Sequence, residues 1–134
     1  PKSLDEIKSL LKTQIAKYEN EVDVIAIATA GAVNNENTRV LGSTGNLVEG
    51  YYTIDFQALS NKKVFVENDA NAATWAEFIL GSAKDFENAV IITLGTGVGG
   101  GVVINKKLFT FFTNNTYFNT NRSKSLISII CSNT

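Results

Sequence analysis

At 134 residues, with 44% apolar and 19% charged side chains, the chain has room for one domain with a modest core. Its formal charge of −1 argues against nucleic acid or an anionic membrane surface as a partner. One cysteine, Cys131, and no histidine exclude an internal disulfide, a multi-thiolate zinc site and a histidine general base. No apolar run approaches the ~18 residues that would suggest a membrane span. The N-terminal segment is charged and amphipathic, unlike a signal peptide, so a cytoplasmic location is expected.

The first element is announced by Ser3-Leu-Asp-Glu6, a capping-box pattern. Leu4, Ile7, Leu10, Leu11, Ile15 and Tyr18 recur at helical spacing, which predicts an amphipathic helix over residues 4–19. Val22–Ala28 reads as a buried strand of a parallel or mixed sheet. Residues 29–50 are loop-like, with Gly31, Gly42, Gly45 and Gly50 set among Asn, Ser and Thr. Val64–Val66 reads as a second buried strand. Ala70–Leu80 reads as a helix that packs Trp75, Phe78 and Ile79 into the core and stops at Gly81. Ala89–Leu94 and Val102–Phe109 read as strands flanking a glycine-dense loop. This order of elements is that of an α/β fold.

Beyond Phe109 the composition changes. Residues 110–134 contain no Gly, Ala, Val, Pro, Asp or Glu and show no clear period. Residues 1–109 therefore form one candidate domain, and 110–134 a divergent tail, out of frame or disordered. Asn114-Asn-Thr and Asn121-Arg-Ser match the glycosylation pattern, but an Asn- and Thr-rich stretch produces such matches by chance.

Two motifs carry chemistry. Leu94-Gly-Thr-Gly-Val-Gly-Gly-Gly101 holds five of the ten glycines. It matches G-x-G-x-x-G, but a β-type run follows where the dinucleotide fingerprint needs a helix, and no acidic residue lies beyond Glu87. No Gly-Lys-Ser/Thr follows either, which excludes a Walker A loop. Two readings stay open: a tight hairpin turn, or backbone N–H groups and the Thr96 hydroxyl approaching phosphate oxygens. The second motif is Asn68-Asp69, between a strand and a helix. Either residue suits a helix cap. Alternatively, Asp69 is a general base at the C-terminal edge of a strand and accepts the proton of an attacking hydroxyl, while Asn68 binds neighbouring hydroxyls. Glu67 reads as a strand-end side chain, not a second catalytic acid.

Together these motifs resemble the sugar kinases of the ROK (repressor, open reading frame, kinase) family over residues 22–109. The resemblance implies an α/β fold of the actin-like ATPase (ribonuclease H-like) type, here partial and mainly the sugar-binding N-terminal lobe. It implies transfer of the ATP γ-phosphate, with Mg²⁺, to a hydroxyl of a hexose or amino sugar of the glucose or N-acetylmannosamine type. Asp69, within Glu-Asn-Asp-Ala-Asn-Ala-Ala, matches the family's catalytic base, and Asn68 its sugar-binding neighbour. Gly95, Thr96 and Gly97 match the second phosphate motif. Thr29-Ala-Gly-Ala-Val33 looks like a sugar-facing loop, with Gly31 and Ala32 against the sugar, and Thr44 in Ser43-Thr-Gly-Asn-Leu47 is a further hydroxyl contact. The Thr-x-Gly form of the first loop looks like N-acetylmannosamine kinases.

The family's Asp-x-Gly-Gly-Thr, Gly-Glu-x-Gly-His and Cys- and His-rich zinc motifs are missing, so no zinc site is expected and the chain alone is expected to be inactive. The implied partner is a small-molecule sugar, with no membrane and no nucleic acid, and the resemblance allows a homodimer for the intact protein. The sugar-sensing domain of a ROK-type transcriptional repressor and a non-catalytic remnant are the competing readings.

Overall fold

The computed structural model describes residues 3–42, 47–95, 97–109 and 125–131. They fall into two compact units, residues 1–68 and 69–134.

The first unit begins with helix α1, Leu4–Tyr18. Its start follows from the capping pattern: the Ser3 hydroxyl accepts the Glu6 amide at 3.2 Å, supplying one of the N–H groups that the first turn leaves unpaired. Leu4, Ile7 and Leu11 pack against the core and Ile15 is buried. Leu10 and Tyr18, expected on the same face, are exposed. The apolar stripe is thus narrower than the spacing suggested.

Strand β1, Val24–Thr29, pairs in parallel with β2, Lys63–Asn68, and the register places Thr29 beside Asn68. Both were expected to be buried on two faces. Instead each alternates: Val64 and Val66 enter the core, while Val24 and Phe65 face outward. The Lys63 ammonium lies 4.7 Å from the Phe65 ring centroid, a cation–π contact that covers part of that ring. The core of this unit is Val40, Tyr51, Ile54, Phe56, Val64 and Val66, contributed by the long β1–β2 connection as well as by the strands. Phe56, with no exposed surface, contributes about 1.5–3 kcal/mol relative to an exposed position.

The second unit opens with helix α2, Asp69–Ile79. Its buried face is Ala70, Thr74 and Phe78, each one turn from the next. Trp75 and Ile79 were expected in the core, yet they are 40% and 49% exposed. Side-chain size alone misplaced them: they lie one position beyond the i, i+4 stripe. Trp75 stacks on Phe78 with ring centroids 5.4 Å apart. The helix ends where Glu77 turns back, its carboxylate accepting the backbone N–H and hydroxyl of Ser82, both at 2.9 Å.

Strands β3 (Asn88–Leu94), β4 (Val98–Ile104), β5 (Lys107–Phe109) and β6 (Ser125–Cys131) form a sheet in the order β5-β4-β3-β6. β3 and β4 are antiparallel, as are β4 and β5, whereas β6 runs parallel to β3. Two expectations change. The strand expected over Val102–Phe109 begins at Val98, inside the glycine run, and breaks at Asn105 and Lys106. Both of these adopt left-handed backbone, φ 50° and 62°, which supplies a two-residue hairpin turn. A strand also occurs within the stretch read as a patternless tail. Phe78, Ala83, Ala89, Ile91 and Val103 form the core of this unit.

Candidate active site

The parallel register of β1 and β2 brings Thr29 and Asn68 to the same strand ends, so the chain leaves both at the C-terminal edge. Ligands of open α/β sheets sit at that edge. Thr29 is buried there, its hydroxyl 2.7 Å from the Tyr51 hydroxyl. Gly31, two residues on, takes φ +99°, and a Cβ on it would stand 2.8 Å from Val40 Cγ1. Glycine is therefore required by backbone conformation and by packing together. The Ala32 carbonyl accepts the Leu41 amide at 2.7 Å, which holds the loop closed.

Asn68 reaches across to this loop: its Nδ2 donates to the Gly31 carbonyl at 3.0 Å. The structure therefore joins two residues, Asn68 and Gly31, that are 37 positions apart. Asp69 follows Asn68 as the first residue of α2. It is exposed, and its Oδ1 accepts the Ala70 amide at 2.9 Å. Thr44 and Thr96 lie outside the described residues.

The glycine run divides into two parts. Gly95 and Gly97 form the β3–β4 turn, and the Gly95 N–H donates to the Gly97 carbonyl at 2.9 Å. That hydrogen bond closes the turn. A Cβ on Gly97 would meet nothing within 4 Å. Gly99 and Gly101 lie within β4 and face α2: a Cβ on Gly101 would collide with Thr74, and one on Gly99 would collide with Thr93 Oγ1 and stand tight against Ala70. Close helix–sheet packing thus accounts for part of a run that the sequence left open between a tight turn and a phosphate-binding loop.

Glu67 lies at the end of β2, as expected. Its Oε1 accepts the Asn68 amide at 2.8 Å and its Oε2 accepts Asn37 Nδ2 at 3.0 Å. The contact of Glu67 with Asn37 was not foreseen. No sequence signal links Glu67 to Asn37, 30 residues earlier in a loop. An apolar cleft of about 400 Å³ beside Leu11, Ile15, Tyr18, Val22 and Ile25 lies against α1 and β1, and carries few polar groups. Among the described residues no three His, Cys, Asp or Glu side chains cluster to hold a metal, and no helix is long and apolar enough to cross a membrane.

A model of the ROK family matches residues 2–111. The chain belongs to the ROK family. It is 38% identical over 98 residues to an N-acetylmannosamine kinase of Haemophilus influenzae (strain PittEE), a match covering 72% of this chain and 33% of that enzyme. It is similar in structure to a ROK family glucokinase from Streptomyces griseus in complex with glucose and AMPPNP, with TM-score 0.67 and 32% identity, covering 81% of this chain and 36% of that one. It is also similar to a ROK family transcriptional regulator, a homolog of the E. coli MLC protein, with TM-score 0.63 and 26% identity, covering 79% of this chain and 28% of that one. The fold is accordingly a partial actin-like ATPase fold. This ROK chain spans about a third of the length of the curated relative it matches.

Proposed function

We propose that this ROK chain is the sugar-binding and proton-accepting part of an ATP-dependent sugar kinase acting on a hexose or amino sugar in the cytoplasm. The observation that carries this reading is Asn68-Asp69 at the C-terminal edge of β2, with Asn68 bonded to Gly31 and Asp69 exposed beside it. Asn68, Gly31, Ala32 and Thr44 border the sugar. Asn68 fixes a hydroxyl, and Asp69 accepts the proton of the attacking hydroxyl as it closes on phosphorus.

ATP supplies the transferred phosphoryl group. Gly95, Thr96 and Gly97 are the residues assigned to its phosphates; open space at Gly97, where a side chain would stand, supports a close approach to that backbone. Gly95 closes the turn through its bond to the Gly97 carbonyl. Mg²⁺ accompanies ATP in this reading, and such an ion is held largely by nucleotide phosphates and water. Residues 1–109 form the kinase portion in this reading, and 110–134 a divergent tail.

The likeness to a transcriptional regulator supports a second reading, a sugar-sensing domain. Replacing the matching segment of the Haemophilus influenzae N-acetylmannosamine kinase with residues 4–109 separates the two. The kinase reading expects a chimera that phosphorylates N-acetylmannosamine or glucose, and a loss of about 10²–10⁴-fold on Asp69→Asn. A chimera that binds sugar without turnover supports the sensor. An Asp69→Asn chimera as active as its parent removes the general base.

A further inference from the structure

Residues 33–40 form a loop organised by Asn34. Its Oδ1 accepts the amides of Thr38 and Arg39 at 2.9 and 2.8 Å, its Nδ2 donates to the Thr38 hydroxyl at 2.9 Å, and Val33 bridges to Val40. The loop presents Asn37 in left-handed backbone, φ 56°. From there Asn37 Nδ2 donates to both the Val66 carbonyl, at 2.8 Å, and Glu67 Oε2. The Asn37 carbonyl accepts the Val66 amide at 2.7 Å. Glu67 thus receives a donor on each oxygen, Asn37 from the loop and the Asn68 amide from the strand end. Asn68 in turn reaches Gly31.

We propose that Glu67 and Asn37 are positioning residues for sugar recognition, setting the Asn68 side chain toward the hydroxyls of a hexose or amino sugar. This rests on the reading of Asn68 as a sugar ligand. A carboxylate is the group the geometry needs at position 67, because two N–H donors converge on its two oxygens. In Glu67→Gln one oxygen becomes an NH₂ that faces a donor, so one bond is lost and Asn68 turns. In Asn37→Gly the left-handed backbone and the Val66 contact through the main chain persist while the side chain is removed.

The test titrates N-acetylmannosamine and glucose into the ¹⁵N-labelled full chain and reads affinities from amide shifts, with unfolding transitions measured in parallel. The variants are Asn68→Ala, Glu67→Gln, Asn37→Gly and the double variant Asn37→Gly/Glu67→Gln. Loss of binding in Asn68→Ala and about tenfold weakening in each of the other two single variants, with their unfolding transitions close to the parent's, are expected. Because Glu67 and Asn37 act through one shared bond, the double variant is expected to bind no more weakly than the weaker single variant. Binding lost in Asn68→Ala but unchanged in Glu67→Gln and Asn37→Gly would overturn the positioning role alone. Weakening that tracks lost stability, or that adds fully in the double variant, would also overturn it, leaving a merely structural role. A wild-type chain that binds neither sugar, or an Asn68→Ala chain that binds normally, would remove the ligand reading and this proposal with it.

Discussion

The methyl group of Ala70 lies 3.0 Å from the point where a Cβ on Gly99 would stand. The residue after Asp69 therefore rests on β4 two positions beyond the turn glycine Gly97. One turn along the helix, the same relation holds between Thr74 and Gly101, where an added Cβ would stand 2.8 Å from Thr74 Cβ. Helix α2 can lie this close to the sheet only because β4 carries no side chain at positions 99 and 101. The glycines so set the distance between the first turn of α2 and the β3–β4 hairpin.

Substitutions within the run are expected to separate accordingly. Gly101→Ala forces Thr74 and the helix outward and is expected to destabilise by about 1–3 kcal/mol, the usual range for overpacking. Gly97→Ala, with open space around it, is expected to stay within about 0.5 kcal/mol of the parent. Urea unfolding midpoints measure both, and equal losses would show that packing does not divide the run.

Tyr51→Phe tests the buried pair at the end of β1. It removes the hydroxyl 2.7 Å from Thr29 Oγ1, leaving Thr29 its longer bond to the Ala30 carbonyl at 3.3 Å. A loss of about 1 kcal/mol is expected. An unchanged thermal midpoint would show that the pair contributes nothing net.

Two surface carboxylates make stability depend on acid. The Ser60 hydroxyl, then the Asn61 amide, hold the Glu19 carboxyl below the usual range. The Ser82 amide, then its hydroxyl, do the same for Glu77. A carboxyl lowered on folding adds stability above the unfolded value, about pH 4.3, and loses it as pH falls through the folded value. The thermal midpoint is expected to drop on acidification below that range. Glu19→Gln with Glu77→Gln is expected to drop less steeply than the parent, and parallel curves would count against these two groups.

Because it spans about a third of its curated relative, the chain alone is expected to show no sugar- and ATP-dependent phosphorylation. A coupled nucleotide assay with glucose and N-acetylmannosamine measures this. Activity that vanished in Asp69→Asn would reverse the expectation and make the described units sufficient for chemistry.

Local signals were legible in the sequence. Ser3 announced α1, the Val- and Ile-rich runs announced the two parallel strands, and the Asn-Asp pair marked the strand-to-helix junction where the candidate base lies. Signals that depend on distant partners were not. Trp75 and Ile79 look like core residues by size, and only the packing of Ala70 and Thr74 on β4 shows which face turns inward. The start of β4 was hidden because glycine carries little strand propensity, so its pairing with β3 had to override composition. The Asn105-Lys106 turn lacks the glycine that usually marks such turns. Asn37 and Glu67 meet across 30 residues, and no periodicity encodes that contact.

The grip of Asn37 on Val66 also bears on solubility. Both the amide and the carbonyl of Val66 are engaged by one loop residue, on the side of β2 away from β1. That is where a strand from another molecule would otherwise attach. Because the loop occupies the site with a single residue in left-handed backbone, it satisfies the edge without offering a further edge of its own. Loosening this contact would thus do more than disturb a side chain: it would uncover a template for intermolecular pairing beside the exposed ring of Phe65.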